Sequence, residues 1–211
     1  MKCCVSIAAV VWIYLATISL AAASLPSPTE NLRGASDQIL LVLKDDKRSL
    51  EEKRESIRHM IDERFDFKTM SKQILGKNWS RADVQQKDRF VRLFSRMLQN
   101  TYLILVEQYK DESVSYQKEI RKEKFASVDA LIHSDTRKIA VVYKFILGGR
   151  GWSVYDVVIE GVSMIANYRT SFAAIIRQKG MDGLLAELEA KVHEPNKAVS
   201  ASPVANGPPA N

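Results

Sequence analysis

Apolar positions along the chain change period once, and that change divides it into a helical half and a sheet half. Ser49 and Glu52 form a capping-box pattern, and Leu50, Ile57, Ile61 and Phe65 follow at helical spacing, so one face is apolar and the other charged. A short helix is predicted after Asp66, with Phe67, Met70, Ile74 and Leu75 inward and Gly76 as its C-terminal cap. From Arg81 to about Tyr109, apolar residues recur at Val84, Val91, Phe94, Leu98, Tyr102, Leu105 and Tyr109. This predicts a single helix extending on the order of 40 Å. Beyond it the period falls to two.

Val114, Tyr116 and Ile120 alternate with polar residues, and the runs 125–133, 139–147 and 152–160 are rich in Val, Ile, Tyr and Phe. Gly148-Gly149-Arg150-Gly151 is a hairpin signal. Four consecutive antiparallel strands are therefore predicted, with no strand–helix alternation of the parallel doubly wound kind. Ser163 is placed to cap a helix carrying Met164, Ile165, Tyr168, Phe172, Ile175 and Ile176 and ending near Gly180; Asp182 is placed to cap a second, with Leu184, Leu185 and Leu188. The class is α+β: N-terminal helices including one long one, a curved four-stranded antiparallel sheet and two C-terminal helices.

The ends differ from this core. Residues 1–23 hold Lys2 as their one charge, an apolar stretch and Ala21-Ala22-Ala23, the pattern of a cleaved export signal. Residues 24–34, with two prolines, read as a linker; 35–193 as the folded domain; and 194–211, rich in Pro, Ala, Ser, Asn and Gly, as a disordered tail. The net charge of +6 is spread among interspersed signs, which describes a solvated surface and gives no reason to expect nucleic acid as a partner. Cys3 and Cys4, the only cysteines, fall in the export signal. The three histidines, His59, His133 and His193, lie in separate elements. No metal, no cofactor and no thiol chemistry is expected, and no Gly-rich phosphate loop is found.

Two blocks of residues resemble a known family. Phe65-Asp66-Phe67, Met70, Ile74-Leu75-Gly76 and Trp79, then Phe90, Phe94 and Tyr102, are the first. Trp152 to Val157, Glu160-Gly161-Val162-Ser163, Asn167-Tyr168-Arg169 and Phe172 are the second and more specific. Together they resemble the MlaC family of periplasmic phospholipid-binding proteins, also known as toluene-tolerance auxiliary components, over about residues 37–188. The resemblance implies a monomeric periplasmic carrier, not an enzyme, with a phospholipid ligand. Its implied partners are an outer-membrane lipoprotein complex and an inner-membrane ABC transporter with a membrane-anchored substrate-binding subunit. The implied role is maintenance of outer-membrane lipid asymmetry.

A carrier needs an apolar cavity, and alternation supplies candidate linings. Val141, Tyr143 and Phe145 share one face of their strand; Tyr155, Val157 and Ile159 share one face of the next, with Trp152, Val154, Asp156 and Val158 on the other. Phe94, Leu98, Tyr102, Met164, Tyr168 and Phe172 are the helical candidates. Arg169 is the headgroup candidate through its planar donor fork, against an internal pair with Asp156 or Glu160. Three alternatives stay open: a hopanoid carrier of the same family, an α+β enzyme using Asp156 as general base on an apolar substrate, and a docking adaptor without ligand.

Overall fold

The computed structural model describes residues 25–107, 113–133 and 137–193; the expected export signal and C-terminal tail lie outside them. Six helices and five strands are described: α1 (Pro28–Leu43), α2 (Leu50–Arg64), α3 (Phe67–Leu75), α4 (Lys77–Arg81), α5 (Val84–Glu107), β1 (Ser113–Lys122), β2 (Phe125–His133), β3 (Lys138–Gly148), β4 (Gly151–Ile159), β5 (Val162–Ser163) and α6 (Met164–His193). The strands form one antiparallel sheet in sequence order, β1-β2-β3-β4-β5.

Local sequence explains the helix ends. Ser49 and Glu52 make the expected reciprocal capping box. Asp66 caps α3 by accepting from Thr69 N–H at 2.9 Å, and Gly76 ends it at φ 52. Ser163 caps α6 by accepting from Ala166 N–H at 3.1 Å. The two expected C-terminal helices form one run broken at Gly180 (φ 72, ψ −177). Asp182 accepts from the Gln86 side chain at 2.9 Å and so ties this last segment to α5.

Two expectations are corrected. The segment expected to be a linker is mostly helix. Ser27 and Glu30 form a second complete capping box, and Pro28 occupies the first helical turn, where a missing N–H costs nothing. The expected four strands are five, because Glu160 (φ 51) and Gly161 (φ 81) turn the chain back and pair Val162 and Ser163 with β4 before α6 begins.

Two main bodies of core result. Helices α3, α5 and α6 pack around Met70, Ile74, Phe90, Phe94, Phe172, Leu184 and Leu188. One sheet face gathers Ala126, Val128, Val141, Phe145, Trp152, Val154 and Val157. Phe65 and Met164 pack against both and join them. The chain at Phe65 also runs beside β4, where Asp66 N–H donates to the Val154 carbonyl at 2.8 Å.

Candidate apolar site on the inner sheet face

Strand register decides which candidates share a face. Val141 pairs with Ile159 and Tyr143 with Val157, as alternation requires; between Lys144 and Phe145 the register shifts, so Phe145 pairs with Val154 and Leu147 with Trp152. The extra residue is Tyr155. This bulge corrects the reading of β4: Trp152 and Val154 lie with Val157 and Ile159 on the inner face, and Tyr155 leaves it. Tyr155 packs against the helical core and meets Phe125 edge-on at 6.0 Å.

The inner face thus presents Val141, Tyr143, Phe145, Trp152, Val154, Val157 and Ile159, with Ala126, Val128 and Ala130 on β2 in register with Phe145, Tyr143 and Val141. The alanines leave a low row between taller neighbours. Helix α1 crosses this face. Thr29 donates through N–H (2.8 Å) and hydroxyl (2.5 Å) to Glu119 of β1, Leu32 packs on the apolar face, and the Asn31 amide donates to the Trp152 carbonyl at 3.2 Å. Burial disfavours the Glu119 charge, but the Thr29 and Arg121 hydrogen bonds outweigh it and hold that carboxyl below its usual range. Further along α1, Ser36 shares a 2.8 Å hydrogen bond with the Tyr116 hydroxyl, and the Arg33 guanidinium lies 5.2 Å over the Tyr116 ring.

Tyr143 stands at the middle of the central strand β3. Desolvation pushes its phenol up to about 12, with nearby Tyr116 adding to the effect. Part of its surface nevertheless touches no protein atoms.

The helical candidates divide differently. Phe94 stacks on Phe90 at 5.7 Å; Phe172 meets these rings edge-on at 6.3 and 5.9 Å, and Tyr168 meets Phe94 edge-on at 5.5 Å. With Leu98 they form ring-on-ring core between α5 and α6 and are not gathered with the sheet residues. Met164 is the helical candidate that touches the inner-face cluster. Tyr102 lies on α5, but its side chain and that of Leu105 fall outside the described residues, as does Tyr109.

The alternative pairing expected for Arg169 is corrected. Arg169 pairs with neither Asp156 nor Glu160; it is exposed, and its Nε donates to the Gln73 carbonyl at 2.9 Å, holding α6 to α3. Asp156 is buried and fully engaged, one oxygen accepting from Lys144 Nζ (3.0 Å) and Ser163 Oγ (2.8 Å), the other from Ile165 N–H (3.1 Å). It clasps β3, β4 and the start of α6. Of the residues that fasten α1 to β1, Arg33 falls in the expected 24–34 linker, while Ser36 and Tyr116 fall in the expected domain but carry no local mark of their pairing; Ser27-x-x-Glu30 with Pro28 is the available signal for the helix.

These features define an α+β chain whose antiparallel sheet turns one apolar face toward a crossing helix and joins a separate helical core at its β4 edge. The family model described as MlaC protein matches residues 33–190, and the chain belongs to that family. It is 22% identical over 128 residues to the intermembrane phospholipid transport system binding protein MlaC of Haemophilus influenzae, covering 58% of this chain and 60% of that one. The chain thus aligns with about three fifths of that relative's length. The fold matches the phospholipid-binding protein of Ralstonia solanacearum, solved with a phospholipid, with a TM-score of 0.70, 24% identity and coverage of 77% of this chain and 94% of that one.

Proposed function

We propose that this chain is a periplasmic phospholipid carrier whose acyl-tail space lies between the inner sheet face and α1. The observation that carries this reading is Tyr143. Its side chain stands at the centre of the sheet among apolar neighbours, with a desolvated phenol and part of its surface free of protein contact, and this supports a space beside it that packed protein atoms do not fill. Val128, Val141, Phe145, Val157 and Ile159 make the surroundings hydrocarbon-like. The MlaC match and the lipid-bound structural neighbour support the same reading.

The energetics require such a space. An acyl tail of ~14 methylenes exposed to water costs on the order of 11 kcal/mol. An apolar lining makes exchange with a bilayer near neutral, so direction is set by partners. In this proposal those are an outer-membrane lipoprotein complex and an inner-membrane ABC transporter with its membrane-anchored substrate-binding subunit, and the result is outer-membrane lipid asymmetry. Residues Val141, Tyr143, Phe145, Val157, Ile159 and Met164 form the lining; Phe94, Leu98, Tyr168 and Phe172 support it from the neighbouring core, and Tyr155 serves the β4 edge. Arg169, tied to Gln73, is set aside as headgroup ligand, and a general-base role for Asp156 is disfavoured by the three donors that occupy its oxygens.

Val157→Trp tests the reading. Filling the space is expected to lower co-purifying lipid at least severalfold while the circular dichroism spectrum is retained. Unchanged lipid content in a folded variant contradicts the placement and favours an adaptor without ligand.

A further inference from the structure

Polar groups along the inner face are answered by protein, with one exception. Tyr116 has Ser36, Glu119 has Thr29 and Arg121, and Asn31 has a backbone carbonyl. Tyr143 has no hydrogen-bond partner among the described residues, and only burial and the neighbouring Tyr116 act on its phenol. An unanswered hydroxyl in an apolar setting is costly, whereas phenylalanine at the same place would not be. The Tyr143 hydroxyl is not sealed off by protein atoms, so an oxygen or nitrogen acceptor that is not protein can reach it.

The surroundings limit what that acceptor is. In register with Tyr143 stand Val128 and Val157, and Val141 and Phe145 precede and follow it on the same face. A small polar molecule finds no second partner among these four, while a hydrocarbon chain bearing one acceptor fits them all. Polarity also rises in one direction. Tyr116, in register with Ala130 and through it with Val141, carries the Ser36 hydroxyl, and the exposed Arg33 lies over its ring. From Tyr143 toward α1 the order is hydrocarbon, lone hydroxyl, paired hydroxyls, cation. A diacyl glycerophospholipid has the same order: tail, ester carbonyl, glycerol, phosphate.

We propose that the Tyr143 hydroxyl donates a hydrogen bond to an ester carbonyl of the bound lipid, so that the cavity selects ester-linked acyl lipids over ether-linked or purely hydrocarbon ones. This rests on the carrier reading above and adds a chemical selectivity to it. The lipid's headgroup end is then directed toward α1 and Arg33, away from Arg169.

The test is a competition. Delipidated full-length protein is incubated with vesicles holding equal amounts of diacyl and dialkyl phosphatidylglycerol of matched chain length, and bound lipid is counted by mass spectrometry. Wild type is expected to enrich the diacyl form roughly three- to tenfold, the worth of one hydrogen bond. Tyr143→Phe, which keeps the ring, is expected to lose the preference, its diacyl uptake falling to the level of the dialkyl lipid and the ratio approaching one. Equal uptake of both lipids by wild type, or an undiminished preference in Tyr143→Phe, overturns the inference while leaving the carrier reading intact. Failure of wild type to take up either lipid removes the carrier reading and the inference with it.

Discussion

Replacing Asp156 separates a structural clasp from a catalytic carboxylate. Its side chain is 4% exposed, and its oxygens take a strand cation, the helix-capping hydroxyl and the first-turn N–H of α6. In Asp156→Ala, Ile165 N–H loses its acceptor in a buried setting, and Ser163 loses the group that orients it as a cap. Lys144, 36% exposed, returns to water at little cost, so its contribution is discounted. One orphaned donor, one lost charge-assisted bond and a small void together cost about 3–4 kcal/mol. Asp156→Asn keeps the acceptor for Ile165 and the shape, and should cost about 1–2 kcal/mol. For a domain of this size the alanine variant should melt about 10 °C lower. Urea denaturation of the delipidated protein, at unchanged m, reads these differences directly. An alanine variant within about 1 kcal/mol of wild type, or an asparagine variant as unstable as alanine, refutes the clasp.

Three further outcomes follow from single residues. Because the Tyr143 phenol ionises at about 12 in the fold and near 10 when unfolded, the native state holds its proton longer, so stability is full below pH 10 and declines as pH rises from 10 to about 12. Tyr143→Phe should lack that part of the alkaline loss, on the order of 2–3 kcal/mol by denaturation across this range; parallel curves for the two proteins contradict it. Gly180→Ala meets no neighbour within 4 Å, but its φ 72, ψ −177 backbone is open only to glycine, so about 1–3 kcal/mol should be lost by thermal melting, and no loss would mean the break in α6 relaxes freely. Ser27→Ala removes the α1 cap and should cost about 1 kcal/mol while increasing amide exchange in the first turn of α1; unchanged exchange would count against α1 as a fixed cover.

Period and capping made most of the architecture legible before any coordinates. The change from helical to alternating spacing located β1 to β4, and Ser49, Asp66, Gly76, Ser163 and Gly180 marked helix ends that the structure keeps. What escaped depended on long-range registry or on a misweighed local signal. Alternation through Trp152–Ile159 assumes an unbroken ladder, and the bulge at Tyr155 reverses the facing of Trp152 and Val154 without any mark in their own identities. Pro26 and Pro28 outweigh a capping box as complete as the one at Ser49, so the first turns of the helix that crosses the inner face fall within the expected 24–34 linker. Helical spacing placed Phe94, Tyr168 and Phe172 inward correctly, yet inward on α5 and α6 means toward one another. Arg169 and Asp156, close in sequence, are separated by the turn through β5 and serve different elements.

Native mass spectrometry of the purified protein, followed by lipid extraction, tests the central claim most directly. One ester-linked phospholipid per chain, chemically unaltered after incubation, is the predicted result. Protein that is folded but carries no lipid, or that carries lipid whose bonds have been changed, contradicts the account.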